Sequence, residues 1–443
     1  MRAERVSLSV ALSLLLGSAL LHPVAGTARP ESPAPSHKYT GPGSCSSVSC
    51  HGSVQPRSET RVRQNEYSVW VVEDKHAKAY AALTTPVSQR MARLLGLPAA
   101  DTAPLCLSCH ALAVPEAQRA KTFDLSDGVS CESCHGPAAD WLGPHTTRDW
   151  TREQSRAAGM VDTKNLLRRA EKCLSCHLGT AEKSVGHELL AAGHPPLLFE
   201  LDSYSAVMPR HWKEAVDTDA FIGVRAWATG QAVQLRESLE QLARRAQSAA
   251  WPEYAELECY SCHHTLTRPE QSWRQQRGYA GRRPGAPPWN TARYAVLRVL
   301  ARQVNREAGQ RLEAEMDKLA SSMSRLDADR TDVAAAAGRA AVLADALARQ
   351  LATLPFDSAT ALRLLRGISG EADSLAGQGE QAAEQAAMSL DSLFAAYAKA
   401  ARPANEKEIR AALDGLFQQL QNPSAYRPEE FARQLRKLHA ALP

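Results

Sequence analysis

Past residue 290 the chain has no cysteine, no tryptophan and only one of its fourteen histidines. Thiol chemistry is therefore excluded from the last third of the sequence, and imidazole chemistry is confined there to one residue. Basic runs are missing as well. Lys plus Arg total 52 against 48 Asp plus Glu, a balance of +4, without the basic stripe that nucleic acid needs. Alternating apolar runs are scarce, which predicts little sheet. Beyond the N-terminal end no stretch approaches membrane-spanning length. Finally, no cysteine is left over: all ten fall into five close pairs, and the second of each pair is followed by histidine.

Those pairs are what the sequence does contain. CLSCH occupies 106–110, CESCH 131–135, CLSCH 173–177 and CYSCH 259–263. A looser copy upstream separates Cys45 from Cys50 by four residues before His51. Cys-x-x-Cys-His is the attachment word of a c-type haem. Two thiols add across the two vinyl groups of one haem, so they must sit a short arc apart, and the adjacent imidazole then reaches the iron. A zinc ribbon also uses paired CxxC but does not need His after every second Cys. Disulfides suit an exported chain, yet pairs this close would close very small loops. A thioredoxin-like motif would be single. For Cys45 and Cys50, whose four intervening residues must bulge out, a disulfide stays open. Five haems c are expected. They are attached through Cys45, Cys50, Cys106, Cys109, Cys131, Cys134, Cys173, Cys176, Cys259 and Cys262. The proximal ligands are His51, His110, His135, His177 and His263.

Residues 1–28 read as a signal peptide: Arg2 and Arg5, an apolar run from Val6 to Leu21, then small residues at Ala25, Gly26 and Ala28. An uncleaved anchor is the alternative. Export agrees with haem attachment outside the cytoplasmic membrane, so a periplasmic or otherwise extracytoplasmic protein is expected. Residues 29–40 form a flexible leader, 41–290 a multihaem domain and 291–443 a helical domain. The fold class is mainly α. In the haem domain short helices and long loops are expected, because the haems supply the hydrophobic core.

Histidines outside the motifs decide what fills the sixth position on each iron. His22 leaves with the signal, His37 lies in the leader, and His439 reads as a surface helix residue. His76, His145, His187, His194, His211 and His264 remain as distal ligands. His76 falls in a helical stretch ending before Pro86. His187 and His194 would share a helix face if the helix persists to Gly193. Two imidazoles on one iron leave no open position, which suits electron transfer. A redox enzyme acting on a small nitrogen or sulfur compound is the alternative and needs one five-coordinate haem. Tyr204, Asp202 and Arg210 lie near the GHP segment, but nothing marks them as catalytic. No CxxCK word suggests a lysine-ligated haem.

The chain resembles the multihaem cytochromes related to the tetrahaem electron acceptor of hydroxylamine oxidoreductase. The likeness rests on CSSVSCHG, the WxxxxxHAxAY segment around His76, CESCHGP followed by His145, and HELLAAGHPPLLFEL followed by HW at 211–212. CYSCHHTL with SWRQQRGYAGRRPGAPPWN is similar to a subgroup of larger exported multihaem cytochromes. The resemblance spans roughly 40–290. It implies haems packed in close pairs, mostly with two His ligands, and electron transfer as the activity. It also implies that His264 serves a neighbouring haem. The chain departs from it in having five sites, a stretched first motif and a long C-terminal extension.

The remainder is read as helix. One helix covers 222–250, with Leu235, Leu239, Leu242 and Ala246 on one stripe. Residues 268–290 form an ordered loop whose arginines, Arg274, Arg277, Arg282 and Arg283, suit propionates. Further helices are expected over 291–323, 331–353, 358–368 (capped by Asp357) and 378–400. Another opens at an Asn405–Glu408 capping box, and the last starts at Pro428. Their stripes are Ile409, Leu413, Leu416 and Leu420, then Phe431, Leu435, Leu438 and Leu442, which read as the core of an antiparallel bundle. A redox protein donor and acceptor are expected as partners, with the bundle as a docking platform. Nucleic acid is not expected, and membrane contact only through an uncleaved anchor.

Overall fold

A computed structural model of the chain describes residues 37–180, 182–213, 219–249, 251–259, 262–263, 288–325 and 328–443. The signal peptide, most of the leader, His264 and nearly all of the 268–290 loop lie outside these residues. Among the described residues pairing between extended segments is limited to two isolated bridges, Tyr39 with Arg119 and Leu257 with Trp289. The rest is helix and loop, as the shortage of alternating apolar runs implies.

From 37 to about 213 the helices are short. Each ends where local chemistry stops it. Pro104 starts the Pro104–His110 helix, whose fixed φ suits the first turn, and Ala111 leaves it in extended conformation directly after the motif histidine. The Cys131–His135 helix stops at Gly136, with φ +81. A Cβ there would meet the Gly159 carbonyl oxygen at 2.4 Å, so only glycine turns the chain at this point. The stretch around His76 is not one helix. Glu66–Glu73 ends at Asp74, with ψ 127, and a 3₁₀ turn Lys75–Lys78 follows, capped by the Asp74 side chain. A short helix Ala79–Leu83 comes next, and Pro86 opens the one after it, Pro86–Leu94.

Apolar packing among these short elements is thin. One small cluster gathers Leu83, Ala92, Ala100, Leu107 and Ala111. The large core begins at Leu166 and runs to Leu442.

Ile222–Gln247 is the pivot. Val224, Trp227, Ala228, Ala232, Leu235, Leu239 and Leu242 are buried on several sides of it, the pattern of a helix enclosed all round. It packs most heavily on Arg330–Leu351 and also touches Leu166–His177, Leu201–Val207 and Ala292–Val304. Two of its buried polar side chains are met across the core. Gln241 donates to the Gly179 carbonyl at 2.6 Å. Arg236 pairs with Asp345 at 2.8 Å and Glu171 at 2.9 Å. This helix was placed with the haem domain by sequence, yet it shares its core with the C-terminal helices.

Those helices form the expected bundle, with three differences. The span 291–323 is two helices, Ala292–Val304 and Arg306–Met323, because Asn305 takes φ −149 and caps the second through Ala308 N–H. An extra short helix, Ala372–Gly377, precedes Glu380–Ala401. Asn405 does not cap Glu406–Leu420; its amide donates instead to the Ala441 carbonyl at 2.7 Å. Asp357 does cap Ser358–Gly370, accepting from Thr360 N–H at 2.8 Å. Ile409, Leu413 and Leu416 are buried, as are Phe431, Leu435, Leu438 and Leu442, while Leu420 is only partly covered.

Candidate haem sites

Five sites follow from the motifs, numbered here in chain order. Three motif helices, Pro104–His110, Cys131–His135 and Leu166–His177, end on their histidine. In such a turn the histidine N–H reaches the carbonyl of the first cysteine, four residues back. The fifth site makes the same bond, His263 N–H to Cys259 C=O at 2.9 Å. The stretched first site makes it too: His51 N–H donates to Cys45 C=O at 3.2 Å, now six residues back. Its two extra residues loop out, with Cys50 N–H and Gly52 N–H both on the Ser47 carbonyl, at 2.8 and 2.9 Å. None of the ten cysteines forms a disulfide, Cys45 and Cys50 included.

The histidine rings pair across the sites. His51 faces His145 with ring centres 6.2 Å apart. His76 faces His177 at 6.1 Å, His110 faces His194 at 6.4 Å, and His187 faces His263 at 6.2 Å. Each pair joins one motif histidine to one from outside the motifs. An iron held at about 2 Å by nitrogens on opposite sides, with each ring centre roughly 1 Å behind its nitrogen, sets the centres about 6 Å apart. A 6 Å gap is too wide for ring stacking and the right width for a metal. His211 and His51 both lie within electrostatic reach of His135. Burial pushes His135 down to about 4, and His211 pushes it the same way. A neutral imidazole is what a metal needs.

Second contacts fix which nitrogen faces the gap. Nδ1 of His110 meets the Ala79 carbonyl at 3.1 Å, that of His145 the Trp141 carbonyl at 2.8 Å, that of His194 the Pro195 carbonyl at 2.8 Å and that of His211 the Pro209 carbonyl at 3.1 Å. A carbonyl accepts only, so Nδ1 carries the proton and Nε2 keeps its lone pair for iron. His51 and His76 are held by carboxylates instead, Glu66 and Asp74, each at 2.9 Å. Aromatic rings brace several of these histidine rings: Trp141 against His145 at 5.4 Å, Phe199 and Tyr204 against His177 at 5.2 Å each, Tyr254 against His187 at 5.8 Å. Tyr204 thus packs on a motif histidine, and its hydroxyl donates to the Leu198 carbonyl at 2.5 Å.

The thiols also order the sites. The Cys45 sulfur lies close to that of Cys131, and the Cys109 sulfur close to that of Cys176. Cys134 lies within electrostatic reach of Cys173. First and third sites therefore abut, as do third and fourth, and fourth and second. Lys183 sits at the last junction, with Nζ 3.2 Å from Cys176 Sγ and 3.0 Å from the Ser108 carbonyl.

Several expectations change. His187 and His194 do not share a helix face, because the helix His187–Ala191 ends and Gly193 takes φ +112; the two rings go to different partners. His37 bonds to Asp140 and packs on Gly159. His439 is exposed on the last helix and bonds Ser369. His264 lies outside the described residues. Among the described residues no group of three or more His, Cys, Asp or Glu gathers as metal donors, so a four-ligand zinc site is not assembled. Nor is any described helix long and apolar enough to cross a membrane. Sequence reasoning missed Glu66, Asp74, Lys183 and Trp141. For Asp74 a signal existed: an Asp two residues before His is a ready cap for the turn that carries it.

Residues 44–136 match a family described as cytochrome c554 and c-prime, a stretch holding the first three motifs. No curated protein and no solved structure matches the chain. With the repeated CxxCH words, that match over part of the chain supports a multihaem c-type cytochrome, one that transfers electrons on covalently attached haem.

Proposed function

We propose that the exported protein carries electrons on five haems c, each held from both faces by imidazole. The ligand pairs are His51 with His145, His110 with His194, His135 with His211, His177 with His76, and His263 with His187. The supporting observation is the set of four ring pairs 6.1–6.4 Å apart, each combining a motif with a non-motif histidine. The attached haems supply reversible one-electron storage. The chain supplies the rest: thiols that tether, Nδ1 contacts that orient Nε2, and shared thiol contacts that set neighbouring sites in the order first, third, fourth, second. The first site counts as a full one because it keeps the His51 to Cys45 closure of the regular motifs.

Two measurements on the purified protein test this. Mass and pyridine haemochrome counting should return five tetrapyrroles per chain. The ferric spectrum should be low-spin throughout, and the reduced protein should not bind carbon monoxide. A high-spin band together with carbon monoxide binding would replace this reading with a redox enzyme that has one open haem.

A further inference from the structure

The contacts behind the ligand rings fall into two chemical classes. At the second site both imidazoles are backed by neutral carbonyls, Ala79 behind His110 and Pro195 behind His194. At the fourth site His76 is backed by the Asp74 carboxylate, and at the first His51 is backed by Glu66. We propose that Asp74 and Glu66 tune reduction potential, holding the fourth and first sites harder to reduce than the second. The proposal rests on the bis-imidazole reading given above.

A proton shared with a carboxylate leaves its ring with imidazolate character. Such a ring donates more strongly and stabilises the ferric state. Burial sets how much of the charge is felt. The Asp74 side chain is 3 % exposed and Glu66 16 %. Asp74 gives one oxygen to both His76 N–H and His76 Nδ1, each at 2.9 Å, and its other oxygen is buried without a hydrogen-bond partner. Its negative charge is thus poorly neutralised, and it also lies within reach of His211 at the third site. Glu66 spends its second oxygen on Arg63 N–H at 2.6 Å. Asp74 should therefore tune more strongly than Glu66. Lys183 works against it at the fourth-site thiol Cys176 and reaches the second site as well. Its cation thus favours reduction at both sites and leaves Asp74 as the difference between them. Neither carboxylate touches an iron position, so both act through the charge they place on their imidazoles.

Spectroelectrochemical titration of the full, haem-loaded protein decides the matter, with the ferric spectrum as a control. Asp74→Asn keeps an acceptor for His76 but removes the charge. One wave should move up by about tenfold in its one-electron equilibrium, about 59 mV. Glu66→Gln should move a different wave in the same direction by less. Waves that stay in place while the spectrum remains low-spin overturn the tuning and leave the ligation standing. A variant that turns high-spin also overturns it, because the carboxylate would then serve to place its ring, not to charge it. Should the unmodified protein itself be high-spin at these sites, the ligation reading fails first, and separately.

Discussion

The two ends of this chain solve the problem of burial differently. Between 37 and about 213 the protein spends its residues on short helices, prolines, glycines and polar caps; it gathers one small apolar cluster of its own, and only its last helices, from Leu166 on, reach the large core. Between 288 and 443 it builds long alanine- and leucine-rich helices whose stripes close on one another. The first region looks underpacked for its size until the paired imidazoles and thiols are counted. Rings about 6 Å apart mark spaces a flat apolar macrocycle would fill. A chain can leave its core unbuilt where the cofactor is the core, and only there.

That contrast is broken most directly by denying the first region its cofactor. Replacing Cys131 and Cys134 by Ser removes the tether at the third site, one of the two inner members of the run of touching sites. The region from 37 to 213 should become readily cut by protease while the fragment from about 291 onward stays resistant. Mass spectrometry of a timed digest reads both. Equal resistance of the two halves would mean that side chains alone hold the first region. His76→Ala has a narrower effect. It should open one iron, adding a high-spin band and carbon monoxide binding, with thermal melting of the bundle unchanged. An unaltered spectrum would remove His76 from the ligand set.

The complementary change belongs to the other half. Leu239 is fully buried where the pivot helix joins the bundle. Leu239→Ala should cost about 2–5 kcal/mol in a denaturant titration, with all haems still low-spin in the folded protein. A concurrent loss of low-spin signal before the unfolding transition would show that the two regions do not differ in what holds them.

How much of this was legible follows the same division. In the bundle the apolar period is local, so Ile409, Leu413, Leu416, Phe431, Leu435 and Leu438 were placed from sequence alone. The break at Asn305 was hidden because the apolar pattern runs on through Leu312 and Met316. In the haem region the ten thiols and five motif histidines declared themselves by covalent logic. The surplus histidines near the haem words stood out only as candidates, and their pairing did not show at all. His145 reaches back to His51 and His76 forward to His177 across loops whose course is set by tertiary contacts such as Glu132 accepting from Thr40, Gly41 and Ala138 N–H. Nor did the helix break at Asp74, which turns a continuous amphipathic pattern into a capped turn.

The smallest expected effect sits where the two regions meet. Glu380 and Glu384 lie one turn apart on the Glu380–Ala401 helix, close to Glu258, the residue before Cys259, and to Tyr204. Burial, then Glu258, pushes Glu380 up to about 7; burial, then Glu380, pushes Glu384 up to about 7. Both start from an ordinary value of 4.5. Between those two values the folded chain holds protons that the unfolded chain has lost. The stability is therefore fully present below 4.5, falls as pH rises toward about 7, and levels off above it. Glu384→Gln should flatten that decline, so that denaturant midpoints at pH 5 and pH 8 draw closer than in the parent. The low-spin spectrum should not change, because the group faces the junction and not an iron. A variant whose midpoints keep the parent's separation would show that these carboxylates are wetter than their surroundings suggest. The junction would then belong with the loosely packed haem region and not with the bundle.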